Sequence, residues 1–380
     1  MLTDMFTEIV TPAALIDESI MTRNIERMQS RMNQLGVAFR PHVKTSKSIE
    51  VAKRQRELGA RGITVSTLRE AECFFAAEFT DILYAAGIVP GKIDRALALR
   101  RQGCALTVIV DSLAAAEALA AKGKAENHAF EVMIEVDSDG HRSGVKPDDP
   151  LLIVIAKTII RGGSDFKGVM THAGSSYELN TPDALRHLAE QERRLIVVAA
   201  ERLRAAGLRC DRVSVGSTPT ALSAQNLAGV TEVRAGVYVF FDLVMSNIGV
   251  CTPRDVALSV LTTVIGHQVD KGWAIVDAGW MAMSRDRGTQ RQDRDYGYGA
   301  VASSRGDLID GYIVASANQE HGIVSRGDGT VDADIAARFP IGSLLRILPN
   351  HACATGAQFS AYHLIDDRGG LQKWDRFSGW

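Results

Sequence analysis

The strongest constraint on the fold is an alternation. Through its first 245 residues the sequence runs repeatedly from a short apolar segment into a longer amphipathic one. Residues 13–17, 37–44, 62–67, 81–86, 105–111, 130–137, 168–172, 212–216 and 233–240 read as strands. Residues 18–35, 46–58, 68–77, 92–102, 113–123, 150–160 and 184–206 between them carry helical spacing. Gly, Lys or Arg closes several of these, as helix C-termini prefer. Strand–helix alternation at this length builds a parallel sheet.

Such a sheet either stays open and doubly wound or closes into an eight-stranded barrel. A doubly wound nucleotide fold favours Gly-x-Gly-x-x-Gly after its first strand. Here Asp17-Glu18-Ser19 follow, with no glycine. About eight strand–helix units in this span match the ~250 residues of a barrel. The expectation is an α/β barrel over 11–245, with 13–17 as its first strand. Beyond about Met245 the texture changes. Residues 256–269, 272–277, 308–315 and 343–348 read as strands without long helices between them, and Gly and Asp are frequent. This predicts a mainly β domain over 246–380, joined by residues 1–10.

Charge and composition exclude several classes of function. A formal net charge of -2 supplies no long-range field for nucleic acid or an anionic membrane. No apolar run approaches the ~20 residues needed to span a bilayer. Five scattered cysteines do not suggest a secreted disulfide framework. Residues 1–10 contain Asp4 and Glu8 and lack the apolar core of a signal peptide. A cytoplasmic protein with a small-molecule partner is expected.

Five segments can carry chemistry. Lys44, in Arg40-Pro41-His42-Val43-Lys44-Thr45, follows a predicted strand at the end where barrel enzymes gather catalytic groups. A partly buried lysine there suits a Schiff base, although a surface lysine fits the local pattern as well. Gly216-Ser217-Thr218-Pro219-Thr220 places a glycine and two hydroxyls before a helix start, as either a phosphate cradle or an ordinary capped turn. Arg142, in Asp137–Gly144, and His172, in Thr171-His172-Ala173-Gly174 with Tyr177 just beyond, follow strands of the same sheet. Finally, His351 and Cys353 form a soft donor pair for a metal such as zinc, and alternate residues of extended backbone share a face. A buried cysteine beside a hydrogen-bonded histidine is the competing reading.

In order along the chain, Thr11-Pro12, Pro41-His42-Val43-Lys44-Thr45, Arg142-Ser143-Gly144, Thr171-His172-Ala173-Gly174, Gly216-Ser217-Thr218-Pro219-Thr220, residues 232–238, Asp277-Ala278-Gly279, Glu320-His321-Gly322 and Pro349-Asn350-His351-Ala352-Cys353 together resemble the D-threonine aldolase / D-serine dehydratase family. The resemblance implies an alanine-racemase-type barrel that binds pyridoxal 5'-phosphate, followed by a β domain, in a homodimer. It implies that Lys44 holds the cofactor covalently, that His172 stacks near its ring, with Tyr177 beside it, and that Arg142 lies by its phenolic oxygen. Gly216, Ser217, Thr218, Gly236 and Tyr238 would serve its phosphate. His351 and Cys353 would hold a divalent ion (zinc, manganese, cobalt or magnesium). In this family aldolases resemble one another in pairing the metal-binding His with Asp, whereas dehydratases pair it with Cys, so Cys353 favours dehydration of a 3-hydroxy amino acid.

The expected reaction removes the Cα proton with Lys44 and expels the β-hydroxyl with the metal's help. A keto acid and ammonia result. Retro-aldol cleavage to glycine and an aldehyde, dehydration of D-serine, and a pyridoxal-phosphate-binding protein without turnover are the alternatives. Arg285, Arg287, Arg291 and Arg294 crowd one stretch of ten residues. A guanidinium reaching the substrate from there would select a second carboxylate, as in 3-hydroxyaspartate.

Overall fold

In the computed structural model, which describes Phe6 and residues 8–366 and 368–380, the chain forms two compact units. One comprises Glu26–Gly236 with Gly379–Trp380. The other is built from residues up to Ile25 and from Val237–Ser378.

The first strand, β1 (Ala13–Asp17), belongs to the second unit and not to the barrel, correcting the expectation for residues 13–17. Four of its five residues are buried. A strand apolar on both faces looks the same in either kind of sheet, and periodicity does not name its partner. The helix α1 (Glu18–Gln34) follows it.

The barrel unit holds β2 (Ala38–Pro41), β3 (Ile63–Val65), β4 (Asp81–Gly87), β5 (Ala105–Val110), β6 (Glu131–Glu135), β7 (Asp165–Met170), β8 (Arg212–Val215) and β9 (Glu232–Ala235). All eight pair in parallel, in the order β2-β9-β8-β7-β6-β5-β4-β3. A bridge between His42 and Thr64 closes the ring, and the Val43 N–H donates to the Thr64 carbonyl at 2.9 Å. The crossovers are α2 (Ile49–Glu57), α3 (Leu68–Ala76), α4 (Pro90–Arg101), α5 (Leu113–Ala125), α6 (Leu151–Arg161), α7 (Pro182–Ala205) and α8 (Thr218–Ser223). Thr67, Ser112 and Thr181 accept backbone N–H groups at the starts of α3, α5 and α7. α6 buries Leu152, Ile155, Ala156 and Ile159, the apolar stripe that its 3.6-residue period aims at the sheet.

The second unit contains β10 (Leu258–Gln268), β11 (Trp273–Val276), β12 (Ala300–Ser303), β13 (Leu308–Ala317), β14 (Gly322–Arg326), β15 (Leu344–Leu348), β16 (Ala361–Ile365) and β17 (Leu371–Asp375). Their order is β11-β14-β13-β12-β15-β10-β1-β16-β17, and β11 also pairs β10. Six strands therefore close a ring around Val260, Val276, Val301, Val314, Val324 and Ile347, while β1, β16 and β17 extend the sheet. β10 serves three partners along its length: β1 pairs residues 258–261, β15 pairs 260–263 and β11 pairs 264–268, the last with a register shift between Val264 and Gly266. Phe6 and Ile9 pack with Leu15, Leu261 and Ile365. Among the described residues no helix is long and apolar enough to cross a membrane.

Candidate active site

At the carboxyl ends of the barrel strands, sequence motifs far apart in the chain meet. Lys44 stands three residues past β2, in the turn that leads to α2. Its side chain is exposed, in line with the surface reading of this lysine and not the partly buried one, while Val43, Thr45 and Ser46 on either side are buried. Glu70, wholly buried, anchors this turn. It accepts from the Ser66 N–H at 3.0 Å and the Ser66 hydroxyl at 2.6 Å, and its carboxylate lies 3.3 Å from Lys47 Nζ.

His42 sits two residues before Lys44, and its Nδ1 is buried with no partner. Burial and the nearby charges of Lys44 and Arg234 push its pKa well below the ordinary value. His172 follows β7, and its Nδ1 lies 2.9 Å from the Gly216 carbonyl, which fixes the ring. Its pKa is pushed down to about 3, by burial first and then by Arg142, against the opposing Gly216 bond. Both imidazoles are therefore neutral near pH 7. Tyr177 lies with its ring centroid 6.2 Å from that of His172. Arg142 is half-exposed, 3.7 Å from Glu135 at the end of β6. Burial raises the Glu135 carboxyl.

The turn after β8 is a capped helix start. The Ser217 hydroxyl accepts the Thr220 N–H, and the Thr220 hydroxyl accepts the Ser217 N–H. The Ser217 oxygen also lies 2.9 Å from that of Ser176, in the loop after β7. Thr218 is buried. Gly216 has φ +133, and a Cβ there would stand 2.1 Å from the Arg234 carbonyl oxygen, so the position requires glycine. At Gly236 a Cβ would crowd the His42 carbonyl at 3.0 Å. Sequence reasoning missed Arg234 and Glu192. Arg234, buried on β9, donates to the Ser214 hydroxyl and the Thr171 carbonyl.

The second unit carries the other candidates. Tyr238 is wholly buried in the short turn Val237–Val239. Contrary to the extended backbone expected for the pair, His351 and Cys353 do not lie on a strand. His351 is the extended residue preceding the helix Ala352–Gly356, and Cys353 is in that helix's first turn. The two remain neighbours and hydrogen-bond through their side chains. His351 Nδ1 lies 2.6 Å from Asp286 Oδ2. Burial disfavours charge on His351, but the bonds to Asp286 and Cys353 outweigh it and raise its pKa to about 11. Buried Asp242 accepts the Ala352 N–H at 2.9 Å and the Met245 N–H at 2.9 Å. Asn350 donates to the Gly297 carbonyl at 2.7 Å. The donor pair thus sits on a tightly held backbone. Among the described residues no group of three or more His, Cys, Asp and Glu side chains is arranged to hold a metal.

The arginine-rich stretch is largely self-contained. Arg285 covers the Trp280 ring, Arg294 covers Tyr296, and Arg287 pairs Asp295 at 2.7 Å.

Residues 16–244 match the alanine racemase N-terminal domain, and residues 257–365 match a putative serine dehydratase domain. A D-threo-3-hydroxyaspartate dehydratase of Delftia sp. (strain HT23) is 65% identical over 99% of this chain and 100% of its own length. The chain belongs to the D-serine dehydratase / D-threonine aldolase family. A D-serine dehydratase of Dictyostelium discoideum is 33% identical over 96% of this chain and 95% of its own. The solved Delftia enzyme superposes with a TM-score of 0.98, covering 99% of each chain. A C353A variant of a D-threo-3-hydroxyaspartate dehydratase, in the metal-free form, also superposes at 0.98, with 64% identity and 99% of each chain covered. An alanine racemase of Clostridium difficile, 14% identical with a TM-score of 0.68 over 97% of this chain and 100% of its own, shares the fold alone.

Proposed function

We propose that this chain dehydrates D-threo-3-hydroxyaspartate to oxaloacetate and ammonia, using pyridoxal 5'-phosphate and a divalent metal. The observation that carries the proposal is the 65% identity, end to end, with the Delftia dehydratase. The residues fit the cofactor. The unpartnered His42 Nδ1 and the hydroxyls of Ser217 and Thr218, on the turn after β8, suit a group with polar edges. They fit the metal as well, because imidazole and thiolate are good donors for zinc and its neighbours. With only two protein donors, other positions fall to water or substrate. The metal-free form of a related enzyme is in keeping with this.

When bound, pyridoxal phosphate supplies an electron sink for charge developing at Cα. When bound, the metal supplies Lewis acidity toward the β-hydroxyl. Lys44 would hold the cofactor covalently, release it to the substrate amine, and then take the Cα proton with its freed Nζ. Neutral His172 would present an aromatic face without adding charge. Arg142, paired with Glu135, would hold an anionic oxygen. The β-hydroxyl leaves as water, and hydrolysis of the resulting imine consumes one water and releases ammonia. His351 and Cys353 would orient the metal.

We further infer a homodimer, as the resemblance implies, and a cytoplasmic location, as the sequence reading expects. Sedimentation at micromolar concentration tests the dimer, and a sole monomeric species would refute it. Borohydride reduction of the cofactor-loaded protein, followed by peptide mass spectrometry, tests the anchor. The label belongs on Lys44, and label on another lysine would refute the assignment.

A further inference from the structure

Helix α7 carries a core-facing stripe of Leu185, Ala189, Glu192, Ile196, Ala199, Ala200 and Leu203. Every member is apolar except Glu192, which is 2% exposed. A buried carboxylate in an apolar stripe is costly unless its hydrogen bonds are made. Glu192 Oε1 accepts two backbone donors, the Ala173 N–H at 3.0 Å and the Gly216 N–H at 3.0 Å. The Thr220 hydroxyl also bonds this carboxylate. Ala173 is in the loop after β7, next to His172, and Gly216 opens the loop after β8, next to Ser217. One oxygen thus joins two separate loops. The neighbouring Gln191 reaches a third, donating from Nε2 at 2.8 Å to the Ser138 carbonyl in the loop that carries Arg142.

The same loops meet each other directly. Thr171 donates to the Ser138 hydroxyl at 2.8 Å, the Ser176 and Ser217 hydroxyls lie 2.9 Å apart, and His172 Nδ1 meets the Gly216 carbonyl. These cross-links set the spacing of the loops only while each loop backbone is pinned from beneath. Without Glu192, two buried N–H groups lose their acceptor.

We propose that Glu192, assisted by Gln191, is a positioning residue that fixes the three consecutive loops carrying Arg142, His172 and Ser217 at the spacing the cofactor requires. This rests on the cofactor reading above. It assigns the effect to where the oxygen lies and not to its charge. Glutamine keeps an acceptor at the same reach, whereas aspartate keeps the charge but withdraws the oxygen by one methylene.

The test uses the full chain, stripped and reloaded with pyridoxal 5'-phosphate. Cofactor affinity is measured by titration, and cofactor orientation by circular dichroism in its visible band. Far-UV dichroism and thermal midpoint report the fold. Glu192→Gln should bind the cofactor within about threefold of the parent, with an unchanged visible band. Glu192→Asp should bind at least about tenfold more weakly, with an altered band, because a buried donor is left unmatched. Gln191→Ala, at an exposed position, should weaken affinity severalfold and shift the band even if Glu192→Asp does not fold. Folded Glu192→Asp with parental affinity and band would overturn the proposal. So would a Glu192→Gln that loses as much as Glu192→Asp, or a Gln191→Ala indistinguishable from the parent. A parent chain that takes up no pyridoxal phosphate would instead overturn the cofactor reading, and this proposal with it.

Discussion

At the residue scale, the clearest gap between sequence and structure is Asp286. The stretch 284–294 drew notice for its arginines, yet the group it gives to His351 is a carboxylate at 2.6 Å. A carboxylate on one ring nitrogen fixes the ring's direction. Asp286→Ala should therefore weaken zinc or cobalt binding by about 10–100-fold, while Asp286→Asn, which still accepts a hydrogen bond, should lose less. Metal titration against a competing chelator measures both, and unchanged affinity in Asp286→Ala would dismiss the role. Spacing made His351 and Cys353 legible as a donor pair, but Asp286 is 65 residues from His351 and carried no local signal. His172 gives a second test. Its folded pKa is about 3, below the ~6.5 of an exposed histidine, so between those values the unfolded chain binds the extra proton. The contribution is complete above about pH 6.5 and is lost as the pH falls toward 3. His172→Gln should flatten the fall in thermal midpoint between pH 7 and 5, and an unchanged slope would contradict the assignment.

At the element scale, turns were easier to read than partners. Gly216-Ser217-Thr218-Pro219-Thr220 announces a helix start, and the capping box is there. Ser217→Ala should cost about 0.5–2 kcal/mol in chemical denaturation and also weaken cofactor binding. A loss of stability with full cofactor affinity would make the serine a cap and nothing more. Lys44 was legible as a residue beyond a strand, but its exposure depends on how the turn 43–46 folds. β1 was legible as a strand, whereas its sheet was not, because its five residues match either. Its pairing with β10 and β16 makes Leu15, which is fully buried, part of the β unit's core. Leu15→Ala should cost about 2–5 kcal/mol, seen as faster amide exchange in β10 and β16. Exchange that quickens only in the barrel strands would contradict that pairing.

At the scale of the whole molecule, the alternation over 245 residues was enough to specify a parallel barrel, because few closures satisfy eight such units. The β unit was harder to read. β12, β14, β16 and β17 escaped notice among the turns around them, although β11 and β15, which are no longer, were legible. Function was legible only as an ordered set of short motifs, each ordinary alone. The central claim is dehydration at a cofactor-and-metal site. The most direct test is product analysis on D-threo-3-hydroxyaspartate, with the pyridoxal-phosphate-loaded protein, before and after chelation. The account predicts oxaloacetate and ammonia in equal amounts, lost with the metal and restored by adding it back. Glycine and glyoxylate as the main products, or full dehydration by the chelated protein, would contradict it.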